Sequence, residues 1–241
     1  MKPIYKIIIG IICSSVFLFG TGFPPYYYQL KDKAQKVEFI NILKPMIDRN
    51  NQQCLDDRAF IVDFFNKSLV GGFRSTSSSD LKRLLKISKR YRIKSLYDRE
   101  QYLEKVDAIP VSLALVQGAI ESGWGKSRFV REANNIFGHW TWGEVGIIPL
   151  NREEGKTHKI RIFYSLQSSV NAYALNLNRH DAYKSFRKVR SKKREEGRFI
   201  TGNEAADTMI YYSELREKYV DILHKMIKKH RLSSYDIVGG L

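Results

Sequence analysis

Glu121 is the residue whose surroundings in the sequence could make it chemically useful. It is the first charge after an apolar run that begins at Val111 and includes Leu113, Leu115, Val116, Ala119 and Ile120. A carboxyl group at the end of such a run is partly desolvated, which raises its pKa and keeps its proton on toward neutrality. Gly123 and Gly125 allow a sharp backbone turn and Trp124 supplies an apolar wall. A protonated carboxylic acid beside a cleft is what protonation of a glycosidic oxygen requires. The ordinary alternative is a helix-end glutamate paired with Lys126 or Arg128, and from these residues alone the ion pair is the commoner outcome.

Other residue types narrow the chemistry. Trp124, Phe137, Trp140 and Trp142 form a dense aromatic group, and sugars present apolar C–H faces that pack on such rings. Trp140 and Trp142, two apart on an extended segment, share a side and suit a groove wall, whereas Trp124 and Phe137 also suit core packing. Asn134 and Asn135 fit a turn held by side-chain to backbone bonds. The five histidines have no metal-ligand spacing, and His180-Asp181 has no accompanying nucleophile motif, so neither a metal nor a cofactor is expected. Of the two cysteines, Cys13 lies in the N-terminal apolar run and Cys54 is expected to pack.

The elements that must position these groups are mostly helical. Pro110 opens the apolar run at a helix start, and Ser127 caps a short helix after the turn. Residues 139–148 and 159–164 alternate, with Ile160, Ile162 and Tyr164 opposite Arg161 and Phe163, which predicts a small hairpin lobe. Helices are predicted at 168–178, 204–213 and 216–230. Upstream, residues 24–33 read as a linker. Val37, Ile40, Leu43 and Ile47, with a kink at Pro45, and a second apolar stretch at 58–69 predict a helical arm. Residues 71–79 read as a loop, and Asp80 as the cap of the next helix.

The 241 residues are 43% hydrophobic, enough for a full core, which excludes a disordered chain. Forty-one Lys and Arg against 25 Asp and Glu give +16, so the surroundings are polyanionic: nucleic acid, anionic lipid or cell-wall polymer. The basic run at 184–194 reads as a solvated helix face, and with no nucleic-acid-binding signature beside it a nucleic-acid partner is not expected. Lys2 and Lys6 precede the uncharged residues 7–19, which reads as a secretory signal or, extended to residue 23, a signal anchor. The chain is therefore expected to be exported to the periplasm or cell envelope, beside an anionic membrane surface if the segment is retained.

The segment V111-S-L-A-L-V-Q-G-A-I-E-S-G-W-G-K-S-R-F-V-R-E-A-N-N-I-F-G138 resembles the active-site region of glycoside hydrolase family 73, the bacterial endo-β-N-acetylglucosaminidases and autolysins. The elements that match are Ala119-Ile-Glu-Ser-Gly-Trp-Gly-Lys-Ser127 and Asn134-Asn-Ile-Phe-Gly138. Ser169-Val-Asn-Ala-Tyr173, Ala205-Ala-Asp-Thr and Tyr212-Ser-Glu extend the likeness over about residues 100–232. The preceding arm, 24–99, is similar to that of the Bax-like branch, and residues 233–241 are a tail.

The resemblance implies a mainly α, lysozyme-like fold with an α-lobe, a small β-hairpin lobe and a groove between them for a peptidoglycan glycan strand. It implies that Glu121 is the general acid. A second carboxyl group would come from the β-lobe, with Glu154 placed ahead of Glu144 and Glu153. Inverting enzymes hold the pair roughly 6.5–9.5 Å apart and retaining ones roughly 5 Å. Alternatively the substrate's own N-acetyl group attacks, with Tyr173 or Tyr212 orienting it. Trp124, Trp140, Trp142, Asn135 and Phe137 complete the expected glycan site. A lytic transglycosylase and a non-catalytic murein-binding protein are the competing readings.

Overall fold

The computed structural model describes residues 22–71, 76–150, 152 and 154–236. The signal segment, Cys13 and Glu153 lie outside the described residues. The fold is mainly α with one small antiparallel sheet, as the resemblance implied.

The arm is one helix, α1 (Asp32–Gly71), which continues through Pro45 and merges the two apolar stretches read separately in the sequence. Phe39, Leu43 and Ile47 in its first half pack against α4 (Val111–Ser122); Ile61, Phe64 and Phe65 in its second half pack with α2 (Ser78–Tyr91) and α3 (Arg99–Lys105). Val37 departs from the expected stripe and is exposed. The cap of α2 is Ser77, whose hydroxyl accepts the Asp80 amide at 3.1 Å. Asp80 lies one turn further in, where its charge favours the helix N-terminus without capping it.

Residues 24–33 are not a linker. They form a 3-10 turn at Pro25–Gln29 that buries Tyr27 beside Phe23, the rings stacked at 4.3 Å. The Tyr27 hydroxyl donates to the Trp124 carbonyl at 2.5 Å. The proline and tyrosine content that suggested a linker instead gives a rigid aromatic plug on the turn after Glu121.

After α4 come α5 (Arg128–Ala133), capped by Ser127 as predicted, and the sheet of β1 (Trp140–Thr141) and β2 (Lys159–Ile160). Trp140 pairs with Ile160, and Ile147 adds an isolated bridge to the same residue. The sheet is shorter than the alternation predicted, and its phase reverses beyond Ile160: Phe163 is buried, whereas Ile162 and Tyr164 are exposed. The Phe163 amide donates to the Ala133 carbonyl at 2.8 Å, and the Phe163 carbonyl accepts Asn134 Nδ2 at 3.1 Å. These bonds draw the chain off the hairpin and onto the end of α5.

The remaining helices are α6 (Leu166–Arg179), α7 (Lys184–Glu195), α8 (Gly202–Ala206) and α9 (Glu217–Lys229). The helix predicted over 204–213 ends at Ala206, where Thr208 turns its hydroxyl back to the Ala205 carbonyl. The basic run on α7 is not simply a solvated face. Lys184, Lys188 and Lys192 are exposed, but Arg187, Arg190 and Arg194 are only 1%, 2% and 8% exposed. Arg194 forks onto the buried Asp107 at 2.5 and 2.9 Å, and Arg190 bonds the carbonyls of Glu104 and Ala108 and the Asn178 side chain. Burial pushes the Asp107 carboxyl up, but Arg190, Arg194 and Arg58 outweigh it and hold it below the usual carboxylate range.

Candidate active site

The helix that carries Glu121 is buried almost all round. Gly118 lets it approach α1 and the Ile136–Phe137 turn, since a β-carbon there would lie 3.2–3.3 Å from Ile136, Leu43 and Phe137. The helix stops because Gly123, Trp124 and Gly125 all take positive φ, at 56°, 56° and 74°. Such a conformation suits glycine and strains tryptophan. The buried Ser122 hydroxyl staples the turn, donating to the Gly118 carbonyl at 2.5 Å and accepting the Gly125 amide at 2.8 Å. Glu121 is thus fixed in the last turn of α4, with its side chain open to solvent on one side.

What faces that side chain is aromatic. The Tyr219 hydroxyl, from α9, donates to Glu121 Oε1 at 3.0 Å. Gln117 Nε2 donates to the same Tyr219 oxygen at 3.2 Å, and the Tyr173 hydroxyl donates to Gln117 Oε1 at 2.5 Å. Tyr212 stacks on Tyr219 with ring centres 5.6 Å apart and planes 8° from parallel. The Tyr183 hydroxyl pKa is raised, by burial first and then by the Glu121 charge, and that of Tyr212 is raised by burial first and then by the neighbouring Tyr173 and Tyr219, with Glu121 adding to it. On the other side Gly138, at φ 66°, passes so close that a β-carbon would stand 3.8 Å from Glu121 Oε2. Burial raises the Glu121 pKa and the Tyr219 hydrogen bond opposes the rise; the net shift is upward. Among the described residues no cation forms an ion pair with it: Arg128 lies 4.0 Å from Glu132 and donates to the Ile148 carbonyl instead. A carboxyl group whose pKa is raised, pointing at open solvent beside tyrosines, can protonate a bound oxygen.

The structure spreads the other predicted residues over three places. Tyr173 and Phe137 are buried in the core, stacked on each other at 3.9 Å, so Tyr173 reaches Glu121 only through Gln117 and Tyr219. Trp124 is half-buried between Phe39 and His230, on the arm side of the turn. Asn135 is a brace: its side chain bonds the His139 amide and carbonyl and the Arg161 carbonyl, at 2.8–2.9 Å, and ties the turn to the hairpin. Asn134 does the same for Phe163. Tyr212 is half-buried beside Tyr219.

Trp140 and Trp142 are 54% and 72% exposed with rings 6.3 Å apart, and Trp140 stacks on His158. They alone of the predicted aromatic set offer open faces. Glu144 and Glu154 are both exposed on the hairpin lobe, and neither contacts Glu121 among the described residues. A concavity of about 850 Å³, lined by residues such as Arg99, Lys188 and Lys192, lies between α3 and α7, and Glu121 is not among its lining residues. Among the described residues no cluster of His, Cys, Asp and Glu could hold a metal ion.

Sequence reading missed Tyr219, Gln117, Tyr183 and Gly138. Gln117 had a signal: it is a polar residue inside the apolar run, one helical turn before Glu121 and so on the same face. Tyr219 had none, being 98 residues away.

The family profile described as mannosyl-glycoprotein endo-beta-N-acetylglucosaminidase matches residues 97–232. Protein bax of Escherichia coli (strain K12) is 31% identical over 203 residues, covering 82% of this chain and 70% of that protein. No solved structure gives a significant match. The Glu121 turn and its tyrosine ring lie within the matched span, and the chain belongs to the glucosaminidase family of glycoside hydrolases.

Proposed function

We propose that this protein hydrolyses β-1,4 glycosidic bonds next to N-acetylglucosamine in peptidoglycan, with Glu121 as general acid. The observation that carries the reading is the Glu121 environment: a carboxyl group with an upward-shifted pKa, held by Tyr219 and facing solvent. Glu121 gives its proton to the bridging oxygen as the bond to the anomeric carbon breaks. Trp140 and Trp142 supply apolar faces for sugar rings. The export signal read at the N-terminus and the +16 charge suit an enzyme working in the cell envelope on an anionic polymer.

Substrate assistance is favoured for the second group. Glu144 and Glu154 stand on the exposed lobe without contact to Glu121, whereas tyrosines crowd it. The acetamido oxygen then attacks the anomeric carbon, and water opens the resulting ring while Glu121 takes back a proton. In the alternative reading, in which a lobe carboxylate activates water directly, Glu154 is the candidate.

Digestion of purified peptidoglycan followed by mass spectrometry of the reducing ends tests the proposal. Hydrolysis gives fragments heavier by one water with N-acetylglucosamine at the reducing end, and Glu121→Gln abolishes them while the fold persists. Anhydro-sugar products would instead mean a lytic transglycosylase. Binding without turnover by the wild-type chain would mean a murein-binding protein.

A further inference from the structure

The hairpin lobe leaves a strip of large apolar side chains uncovered. Trp142, Val145, Ile148, Leu150 and Ile162 are 72%, 74%, 54%, 82% and 45% exposed. A concentration of this kind within one small lobe marks an interaction surface. Two further observations say what covers it. The described chain begins at the root of this lobe: the Gly22 amide donates to Asn134 Oδ1 at 2.6 Å, and Asn134 Nδ2 donates to the Phe163 carbonyl at 3.1 Å. Only Gly20 and Thr21 separate Gly22 from the uncharged apolar residues 7–19. Three peptide steps reach at most about 11 Å. In addition, α5 and the lobe present exposed Lys126, Arg131 and Arg161 around this root, alongside the lobe's acidic Glu144 and Glu154. Basic residues beside exposed apolar and aromatic ones are the composition of an interfacial membrane contact.

We infer that the strip Val145–Ile148–Leu150, flanked by Ile162, rests in an anionic membrane leaflet, that of the membrane for which the sequence of residues 7–19 reads as an anchor. The inference builds on the proposed membrane association and adds which face meets the lipid. It does not depend on catalysis. The Gly22–Asn134 bond and the buried Phe23 fix where the described chain leaves the domain, at the root of the lobe.

The tryptophans report on it. The chain has three, of which Trp124 is half-buried and Trp140 and Trp142 are exposed on the lobe. The full chain is reconstituted into vesicles of phosphatidylglycerol with brominated or plain acyl chains. With the lobe seated about 5–10 Å into the interface, bromine lowers tryptophan emission about twofold. Val145→Asp with Leu150→Asp restores the emission while the amount of vesicle-bound protein and the circular dichroism stay the same. Vesicle-bound wild type with equal emission in both lipids overturns the inference and leaves the anchor standing. That holds whether the strip proves to be covered by a second copy, seen as a cross-linked dimer, or by glycan, seen as a chitooligosaccharide-induced emission shift. Protein that does not sediment with vesicles overturns the inference and the anchor together. Glu121→Gln is quenched like wild type, so a failed catalytic reading leaves this result intact.

Discussion

Burial disfavours the charge on Glu121 and raises its pKa, and one hydroxyl group pulls the other way. The Tyr219 hydrogen bond stabilises the ionised carboxylate, so Tyr219→Phe raises the Glu121 pKa further. A hydrogen bond to a charged group contributes about 1.5–3 kcal/mol, which at about 1.4 kcal/mol per pH unit shifts the basic limb of the activity profile upward by about one to two units. The measurement is kcat against pH; a basic limb that moves down or stays put would contradict this role. The same environment has a consequence for stability. A carboxyl group whose folded pKa lies above its unfolded value contributes fully below the unfolded pKa and loses that contribution as pH rises through the folded one. Glu121→Gln therefore melts higher than wild type at neutral pH, and the gap closes on acidification toward about pH 4. Glu121 was legible in the sequence because one apolar run ends on it. Tyr219 was not, because long-range packing of α9 brings it in. Tyr173, expected to orient the acetamido group, is buried with its hydroxyl on Gln117 and so does not face Glu121 directly.

At the scale of elements, charge pattern misled where apolar pattern did not. The run at 184–194 has the composition of a wet surface, yet one face of α7 carries three arginines inward: Arg187 pairs with Glu104, while Arg190 and Arg194, with Arg58 of α1, surround Asp107. Nothing local distinguishes an arginine that meets water from one that meets a buried carboxylate 87 residues away. Removing the carboxylate leaves those cations uncompensated. Asp107→Asn should cost about 3–5 kcal/mol in denaturant unfolding. Because the folded pKa of Asp107 is depressed, its contribution is present above the unfolded value near about pH 4 and is lost as pH falls through the folded one. The destabilisation caused by Asp107→Asn therefore shrinks in acid. The hairpin was legible in kind and overlong in extent, since alternation continues past the point where Phe163 is captured by α5.

Over the whole molecule, the arm and the family-matched segment are not separable bodies. Phe23, Tyr27, Phe39, Leu43 and Ile47 belong to the same core as Leu113, Val116 and Tyr219. A fragment limited to residues 97–232 exposes that face of α4 and should show no cooperative melting transition by circular dichroism, whereas a chain beginning at residue 22 should melt in one step. The division into arm and catalytic domain was natural from the sequence, where the chemistry is concentrated in one half. The structure shows that the half without chemistry packs against the helix that carries the acid.

Gln117 sets a direction. Its amide oxygen is occupied by the proton of Tyr173, so its nitrogen must face Tyr219, and the Tyr219 hydrogen is left only one target, the carboxylate beyond. The sequence of donors runs one way from the deep interior to the surface, like a valve. An acceptor-only group at position 117, as in Gln117→Glu, would compete for the Tyr219 hydrogen and turn the arrow inward. A side chain that never meets the sugar thus governs which way the last hydrogen points.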